Sequence, residues 1–445
     1  MTTTPTTDSA HHTGDSEFVD LIDTSAEVAA FLTSSAAEDI ISAALATHGW
    51  GLVEYSCDKP HIRPGAGVSV SYFVTAQGSD RDFTTHLTAT TENVDTSGAV
   101  VTFTDPEGIV VDPIHVWQFP NDPKLPALAA ATDVPTMAQV LPSDTLDANV
   151  VVYRPTRRAV IEYLDETGTI AFGKVLHPKT AAELVRRTNA VAEGSAPIPK
   201  ILYSNPEGLV VSEVAVGEAL SNVIAFDPAR AISMIAELEQ CLDALGPAVA
   251  ALDEHPSWAV RVSQYAATAA ELIPDMAEES LKVAEFVEQV LEEDRGGDDV
   301  ATHGDFFEAN VLVSDDGALT MIDLDHVGPG KRNDDWGCLL AHVSVLPFLT
   351  EHDWVDAEPG EPGRETIEAL NPGGQRCSYY PRSEEVLEGW CSYLESRTDP
   401  YDLYARAAAV TMSIASNADA QAAPRESRAR VRRAVWWAER ATKFA

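Results

Sequence analysis

The sequence predicts an α+β fold in which a small N-terminal unit precedes two larger lobes, one of antiparallel strands and one of helices. Three observations support this prediction. Helical spacing of apolar residues at 25–48 is followed by four strand-like segments before residue 105. A second group of strand-like segments lies between residues 149 and 213, and from about residue 228 the apolar spacing is helical almost to the end. A chain of 445 residues is too long for one ordinary core, so two or three domains are expected.

These patterns divide the chain into five segments. In order they are a disordered tail (1–16), an α+β cap domain (17–122), a helix and linker (123–148), a strand lobe (149–216) and a helical lobe (217–445). The tail has neither the basic region nor the apolar core of a signal peptide. No apolar run approaches the roughly 18 residues of a membrane span, so no membrane partner is expected.

Charge and cysteine usage limit the classes of partner and location. The net charge is −40, from 70 acidic and 30 basic residues, which argues against nucleic acid or an anionic membrane as a partner. Because the acids are spread along the chain, adaptation to salt or to high solubility explains them, and a preference for cationic substrates is the alternative. The five scattered cysteines include no CxxC pair, which predicts reduced thiols and a cytoplasmic location.

The stretch HGDFFEANVLVSDDGALTMIDLDH, which starts at His303, contains the strongest chemical pattern. Two apolar segments surround an Asp-Asp-Gly turn, and this predicts a β-hairpin. Asn310 precedes the first strand, Asp323 follows the second, and Asp305 lies five residues before Asn310. Pairing of the strands would therefore bring three oxygen-bearing side chains to one rim.

Two carboxylates and an amide at one rim suit phosphoryl transfer. That reaction needs mostly positioning and charge neutralisation, with one carboxylate to accept the proton of the acceptor hydroxyl. An amide oxygen and a second carboxylate are the hard ligands that Mg²⁺ prefers. The spacing is that of the catalytic loop and metal-binding aspartate of protein kinases. The alternative is a chance polar hairpin in a very acidic protein.

The runs HGDFFEANVLV and MIDLDHVGPG resemble the aminoglycoside phosphotransferase and choline kinase superfamily, whose members show H-G-D-x-x-x-x-N and then I-D-x-D. This resemblance implies a bilobal protein-kinase-like fold. It implies that Asp305 is the catalytic base and that Asn310 and Asp323 bind magnesium. His303 and Asp335 would support the catalytic loop, Asp335 through hydrogen bonds to its backbone.

Lys174 is the candidate lysine for the nucleotide phosphates. It alternates onto one face of a predicted strand with apolar neighbours, namely Ile170, Phe172 and Leu176. A half-buried ammonium needs a partner. The resemblance implies ATP phosphates and a helix glutamate, and Glu183 is the carboxylate that the following helix offers. The alternative is a strand-end lysine that extends to water.

Two further segments are candidates for ATP binding. No GxGxxG motif is present, but the turn between the first two strands of the strand lobe carries Arg154, Arg157 and Arg158. Guanidinium groups suit phosphate oxygens, and pairing with local acids is the equal alternative. The run from Glu213 to Gly217 fits the hinge between lobes, where backbone groups would bind the adenine edge.

The resemblance thus implies an ATP- and Mg²⁺-dependent kinase that phosphorylates a hydroxyl of a small molecule. A cap ahead of the kinase signals is similar to the layout of bacterial maltokinases and glucosamine kinases, so a sugar or amino sugar is the first choice of acceptor. An aminoglycoside is the second choice. A non-catalytic, nucleotide-binding regulator with a kinase fold is the alternative of another class. The sequence does not indicate the oligomeric state.

Overall fold

The computed structural model describes residues 25–63, 66–95, 98–101, 113–141, 143–350, 352–417 and 423–445. The predicted tail therefore lies outside the described residues. Contacts divide the chain into two units. The first comprises the residues up to Asp133 together with Val150–Val160, and the second comprises Val134–Asn149 together with Ile161–Ala445. Residues 150–160, which the sequence assigns to the strand lobe, are grouped by their contacts with the N-terminal unit.

The N-terminal unit begins with two helices, α1 (Ser25–Thr33) and α2 (Ala36–Ala46). The sequence predicts one continuous helix here. Instead Ser34 Oγ donates to Phe31 O (2.7 Å) and accepts from Ala36 N (3.2 Å), so a side chain replaces helical backbone pairing. Within the described ranges no single helix is long and apolar enough to cross a membrane. The segments Glu27–Thr33 and Ala36–Ala46, bent by 62°, meet that test of length and composition only as a pair.

An antiparallel sheet completes this unit. Its strands are β1 (Gly51–Cys57), β2 (His61–Arg63), β3 (Gly67–Gln77), β4 (Asp82–Thr90), β5 (Ala99–Val101) and β6 (Ile114–Gln118). The order is β1-β3-β4-β6-β5, and β2 pairs with β3. Four strands were expected, and β2 and β6 are the additional ones. Buried side chains of one face, among them Val70 and Tyr72, pack with Ile40 and Ile41 of α2.

The strand lobe contains the second large sheet. Two short helices precede it, α3 (Leu128–Thr132) and α4 (Val134–Met137), and its strands are β7 (Asp147–Arg154), β8 (Arg158–Asp165), β9 (Gly168–Leu176), β10 (Ile201–Ser204) and β11 (Leu209–Ser212). The order is β10-β11-β9-β8-β7. Helix α5 (Pro178–Ala192) follows β9. Strand β9 is thus central, and Lys174 lies opposite Val210 of β11.

The remaining chain is mainly helical. The helices are α6 (Leu220–Phe226), α7 (Pro228–Ser233), α8 (Ile235–Asp243), α9 (Pro247–Ala250), α10 (Val262–Leu272), α11 (Ala277–Glu292), α12 (Arg332–Val345), α13 (Arg364–Leu370), α14 (Ser383–Leu394), α15 (Pro400–Ser416) and α16 (Pro424–Ala441). Short 3₁₀ helices occur at Trp258–Arg261, Pro274–Met276, Glu308–Asn310, Leu324–His326, Leu346–Phe348 and Thr442–Phe444. The 3₁₀ turn that begins at Pro274 separates α10 from α11.

Short strands connect these helices. They are β12 (Glu218–Ala219), β13 (Val300–Thr302), β14 (Val311–Val313), β15 (Leu319–Met321), β16 (Gly328–Gly330), β17 (Trp354–Asp356) and β18 (Gln375–Cys377). Strands β12, β14 and β15 form one small sheet, and β13–β16 and β17–β18 form two pairs. No strand or helix is predicted from the sequence in the region of β17, β18 and α13.

Helix α15 forms the centre of the helical lobe. Almost all of its residues are buried, and it packs against α12, where Gly337 allows close approach because an added Cβ would lie 2.9 Å from Arg406 Cβ. Arg406 of α15 joins the two helices through Asp334 of α12 (2.5 Å), and it also pairs with Asp402 one turn earlier in its own helix (2.9 Å). Buried charges are retained only when paired in this way. The predicted α+β class, with antiparallel strands followed by helices, is confirmed.

Candidate active site

The hairpin that the sequence predicts after Asn310 is present. Strands β14 and β15 pair Val311 with Met321 and Val313 with Leu319. At the open end, Ile322 N donates a hydrogen bond to Asn310 O at 3.0 Å. Asn310 therefore lies beside the residue that precedes Asp323, and the chemistry-bearing ends of the two strands meet at one rim.

The loop before the hairpin carries Asp305 and is closed by Asn310. Asn310 Nδ2 donates to Asp305 O at 2.9 Å and lies 3.5 Å from Asp305 Oδ2. Asn310 is only 6% exposed, so its orientation is fixed by these contacts. Gly304 adopts φ +78°, and an added Cβ would lie 2.5 Å from His326 O. Glycine is therefore required at the second position of His-Gly-Asp.

His303 and Asp335 hold this loop from the inside. Asp335 Oδ2 accepts from His303 N at 3.0 Å, and its Oδ1 accepts from Gly304 N at 2.8 Å. These are hydrogen bonds of the kind that the sequence predicts for Asp335. The His303 ring nitrogen Nε2 lies 3.0 Å from Ile322 O, so the loop is also tied to the end of the hairpin. Burial lowers the pKa of His303 to about 4, which keeps the ring neutral at neutral pH.

Lys174 reaches the residues that follow the hairpin. Its Nζ lies 2.6 Å from Asp323 Oδ1 and also forms an ion pair with Asp325. The lysine side chain is 20% exposed. Burial favours a lower pKa for Lys174, but the charges of Asp325 and Asp323 outweigh it and raise the pKa above its ordinary value. The ammonium group therefore stays protonated between two carboxylates.

The predicted pair of Lys174 and Glu183 is wrong for this structure. Glu183 instead pairs with Arg186 and Arg187 of its own helix, each at 2.7 Å. Residues three and four positions apart are neighbours on a helix, so these arginines are local partners for the glutamate. Arg187 also donates to the carbonyl of Val327. Glu183 is thus connected to the loop after Asp323, not to the lysine.

Asp323 has a strained backbone, with φ 61° and ψ 60° in the left-handed region. This conformation costs a residue other than glycine about 1–2 kcal/mol. Such strain is concentrated at functional sites, where the surrounding structure enforces it. It is consistent with a carboxylate that must point in one particular direction.

Asp325 is a site residue to which the sequence analysis assigned no role. Its position was visible in the I-D-x-D motif, but its contact with Lys174 joins residues 151 positions apart. Burial, with the neighbouring Asp323, raises the pKa of Asp325 to about 6, and Lys174 opposes the rise. Glu308 was also missed, and burial, with the charge of Asp305, raises its pKa to about 7.

The side chains of Asp305, Asp323, Asp325 and Lys174 form a cluster with three carboxylates and one ammonium group, so negative charge is in excess. Burial, followed by the charges of Asp323 and Asp325, raises the pKa of Asp305 to about 7. With Lys174 as the cation, three ionised aspartates leave a formal charge of −2, which a divalent ion would neutralise. No group of three or more His, Cys, Asp or Glu side chains in the described ranges could hold a metal by itself. Carboxylate and amide oxygens are the hard ligands that suit Mg²⁺, which also takes oxygen ligands from phosphate or water.

The predicted arginine turn is anchored within the N-terminal unit. Thr156 N donates to Asp122 (2.8 Å), and its hydroxyl donates to Glu92 (2.8 Å). Among the described residues, no ion pair involves the three arginines at positions 154, 157 and 158. Burial and the nearby Arg63 lower the pKa of Arg157. Pairing with local acids, one of the two interpretations of this turn, is therefore not found in the described part of the chain.

The predicted hinge connects two strands. Strand β11 ends at Ser212 and β12 begins at Glu218. The backbone N–H of Glu213 donates to Lys200 O at 2.9 Å, and its carboxylate accepts from Lys200 N at 3.2 Å. The backbone N–H and one carboxylate oxygen of Glu213 are therefore already used in contacts with Lys200.

This arrangement of a central-strand lysine, a buried aspartate loop and a hairpin with terminal carboxylates is that of a phosphotransferase acting on hydroxyl groups. Residues 171–380 match the model of the phosphotransferase enzyme family. Over this segment the match agrees with the resemblance to the aminoglycoside phosphotransferase and choline kinase superfamily.

Solved structures show the same likeness at low identity. The chain is similar to a thermostable mutant of aminoglycoside phosphotransferase APH(4)-Ia, with a TM-score of 0.44, 12% identity and coverage of 68% of this chain and 98% of that one. For choline kinase from Cryptosporidium parvum the TM-score is 0.39 and the identity 13%, with coverage of 71% of this chain and 94% of that one. For ethanolamine kinase from Plasmodium vivax the TM-score is 0.37 and the identity 10%, with coverage of 65% of this chain and 82% of that one. These TM-scores support no conclusion about the acceptor. Among curated proteins, no sequence matches.

Proposed function

We propose that the protein is an ATP- and Mg²⁺-dependent kinase that transfers the γ-phosphate to a hydroxyl of a sugar or amino sugar. The observation that supports this most strongly is the contact of Lys174 with Asp323 and Asp325, on elements that the chain brings together from 149 and 151 residues apart. A lysine held at the metal-binding carboxylates is what phosphate alignment requires.

Asp305 is the proposed catalytic base. Its pKa is raised to about 7 by burial and by Asp323 and Asp325, and a base of this strength is effective near neutral pH. The hydrogen bond from Asn310 Nδ2 to Asp305 O and the two contacts of Asp335 with the loop backbone fix its position. Asp305 would orient the acceptor hydroxyl and receive its proton.

Asp323 and Asn310 are the proposed metal ligands, and Lys174 is the proposed partner of the α- and β-phosphates. When bound, Mg·ATP supplies the phosphoryl group and the positive charge that the cluster lacks. Lys174 supplies part of that charge through its ion pairs with Asp323 and Asp325. Glu183 would act on the loop after Asp323 through Arg187, and the arginines 154, 157 and 158 stay candidates for phosphate contacts.

The acceptor class rests on the layout of the chain. A sugar or amino sugar is favoured by the cap that precedes the kinase part, as in the maltokinase and glucosamine kinase resemblance. A small molecule is the expected partner, with neither nucleic acid nor membrane. A cytoplasmic location is part of the proposal, because the five cysteines are scattered along the sequence and include no CxxC pair.

A coupled assay of ADP release tests this proposal. The panel should contain sugars, amino sugars, choline analogues and aminoglycosides, with Asp305→Ala as the inactive control. Acceptor-dependent ADP release with a sugar or amino sugar is expected. ADP release with aminoglycosides alone would show that the acceptor is an aminoglycoside and not a sugar. Nucleotide binding without ADP release on any acceptor would favour the non-catalytic regulator.

A further inference from the structure

The sheet of the N-terminal unit has a concave surface that the kinase chemistry does not use. A cavity of about 670 Å³ lies on β1, β3 and β4. The strand register pairs Ser56 with Phe73, Phe73 with His86 and Thr75 with Thr84. Side chains alternate between the two faces of a strand, so these five residues share the face opposite to buried Tyr72.

Phe73 forms an aromatic platform in this cavity. The ring is 53% exposed although it lies in the middle of the longest strand of the sheet. It stacks on His86 at a centroid distance of 4.8 Å, and His86 stacks in turn on Phe119 at 5.2 Å. The ring is therefore held in one orientation before any ligand arrives. Rigid aromatic side chains bind ligands at a low cost in conformational entropy.

Hydroxyl groups and one carboxylate surround this platform. The hydroxyl of Thr75 donates to Glu54 Oε1 at 3.2 Å, which leaves the other oxygen of Glu54 available. The side chains of Ser56 and Thr84 have no hydrogen-bond partner among the described residues. Side chains directly opposite on neighbouring strands are about 5 Å apart, so the cavity offers donors and acceptors at short, regular intervals.

The charge of the cavity limits what it can bind. Glu54 is the one carboxylate among the described lining residues, and burial lowers the pKa of His86, so the imidazole is neutral at neutral pH. Phosphate or a nucleotide would be repelled by Glu54 in a chain of net charge −40. A purely apolar ligand would leave the hydroxyls of Ser56 and Thr84 and the second oxygen of Glu54 without partners. A neutral molecule with one apolar face and several hydroxyls satisfies both parts of the surface.

We propose that this cavity is a carbohydrate-binding site, in which the apolar face of a neutral sugar stacks on Phe73 and its hydroxyls bind Glu54, Ser56 and Thr84. The volume is within the range of about 300–1,000 Å³ that small-molecule sites occupy, so one or two sugar units fit. The site belongs to the N-terminal unit and stands independently of the kinase proposal.

Calorimetric titration of the full chain with maltose, cellobiose and diacetylchitobiose, without nucleotide, tests the proposal. At least one of these sugars should bind, and Phe73→Ala should weaken that binding by about tenfold or more. Phe73→Tyr keeps the ring and should preserve binding. Val100→Ala is a matched control, because Val100 is an equally exposed apolar residue (54%) on β5 of the same sheet.

Thr84→Arg provides a second variant should Phe73→Ala fail to fold, since the larger side chain would fill the open side of the cavity. It should abolish binding of the same sugar. Absence of binding by all three sugars at millimolar concentration would overturn the proposal. Binding that Phe73→Ala and Thr84→Arg leave unchanged would do so too, because the sugar would then occupy another place on the chain.

Discussion

Asp335 holds the catalytic loop through two backbone hydrogen bonds, and replacement by asparagine tests the importance of this contact. The carboxylate is fully buried and accepts from His303 N at 3.0 Å and Gly304 N at 2.8 Å. Asparagine keeps one acceptor oxygen and turns an amide N–H₂ group toward the second N–H. The loss of one hydrogen bond to a charged group costs about 1.5–3 kcal/mol.

The same substitution removes a buried negative charge, which is stabilising. Burial raises the pKa of Asp335 from 3.8 to about 6. A shift of this size makes the ionised form less stable by about 3 kcal/mol at neutral pH. Because the two contributions oppose each other, Asp335→Asn should change the free energy of unfolding by about 1 kcal/mol or less near neutral pH. Asp335→Ala leaves two buried N–H groups without an acceptor and should lose about 2–4 kcal/mol.

The pH dependence gives the sign of the charge contribution. The folded protein binds the proton of Asp335 more tightly than the unfolded chain, because its folded-state pKa is the higher one. Relative to Asp335→Asn, the wild type should therefore lose about 1 kcal/mol of stability as the pH rises from about 5 to about 8. Urea denaturation at both pH values measures this difference. A difference that does not change with pH, or that changes in the opposite direction, would refute the reasoning.

Three further predictions concern the nucleotide end of the site. Lys174→Ala removes the cation that lies at Asp323 and Asp325, so the KM for ATP in steady-state kinetics should rise about tenfold or more; an unchanged KM would contradict the assignment. Asp323→Asn replaces a proposed metal ligand, so ATP should raise the Tm of this variant equally with Mg²⁺ and with EDTA, whereas a retained advantage for Mg²⁺ would argue against that role. Glu183→Gln breaks the ion pairs with Arg186 and Arg187 but removes no contact of Lys174, so the KM for ATP should change less than about threefold. A rise in KM as large as that of Lys174→Ala would instead support the pair of Lys174 with Glu183.

The catalytic hairpin could be predicted from sequence because its signals are local. Two apolar segments around an Asp-Asp-Gly turn specify both the pairing and the register, and this places Asn310 beside Ile322. The break near Pro274 was predictable for the same reason, since proline removes a helical donor. In each case a few neighbouring residues determine the conformation.

The partners of charged side chains were less predictable, because they depend on long-range packing and on competition. Nothing near Lys174 in sequence distinguishes Asp325, 151 residues away, from Glu183, nine residues away. Glu183 has nearer partners in Arg186 and Arg187, one helical turn further along. The apolar spacing does not predict the division of α1 from α2, because that division involves a hydrogen bond from the side chain of Ser34.

The anchoring of the arginine turn was hidden for a related reason. Its main contacts, from Thr156 to Asp122 and Glu92, involve a neutral threonine between three arginines. The charges of the three arginines therefore do not indicate which residues anchor the turn. The backbone φ of +62° at Thr156, which presents its N–H to Asp122, carries no sequence signal because threonine rarely adopts it.

The most direct test of the central claim is the turnover of Asp305→Ala on the best acceptor of the panel. Asp305 receives the proton of the acceptor hydroxyl in this account and makes no contact with the nucleotide. The kcat should therefore fall by about 10²–10⁴-fold, while the Kd for Mg·ATP changes by less than about twofold. Turnover comparable to that of the wild type would contradict the account.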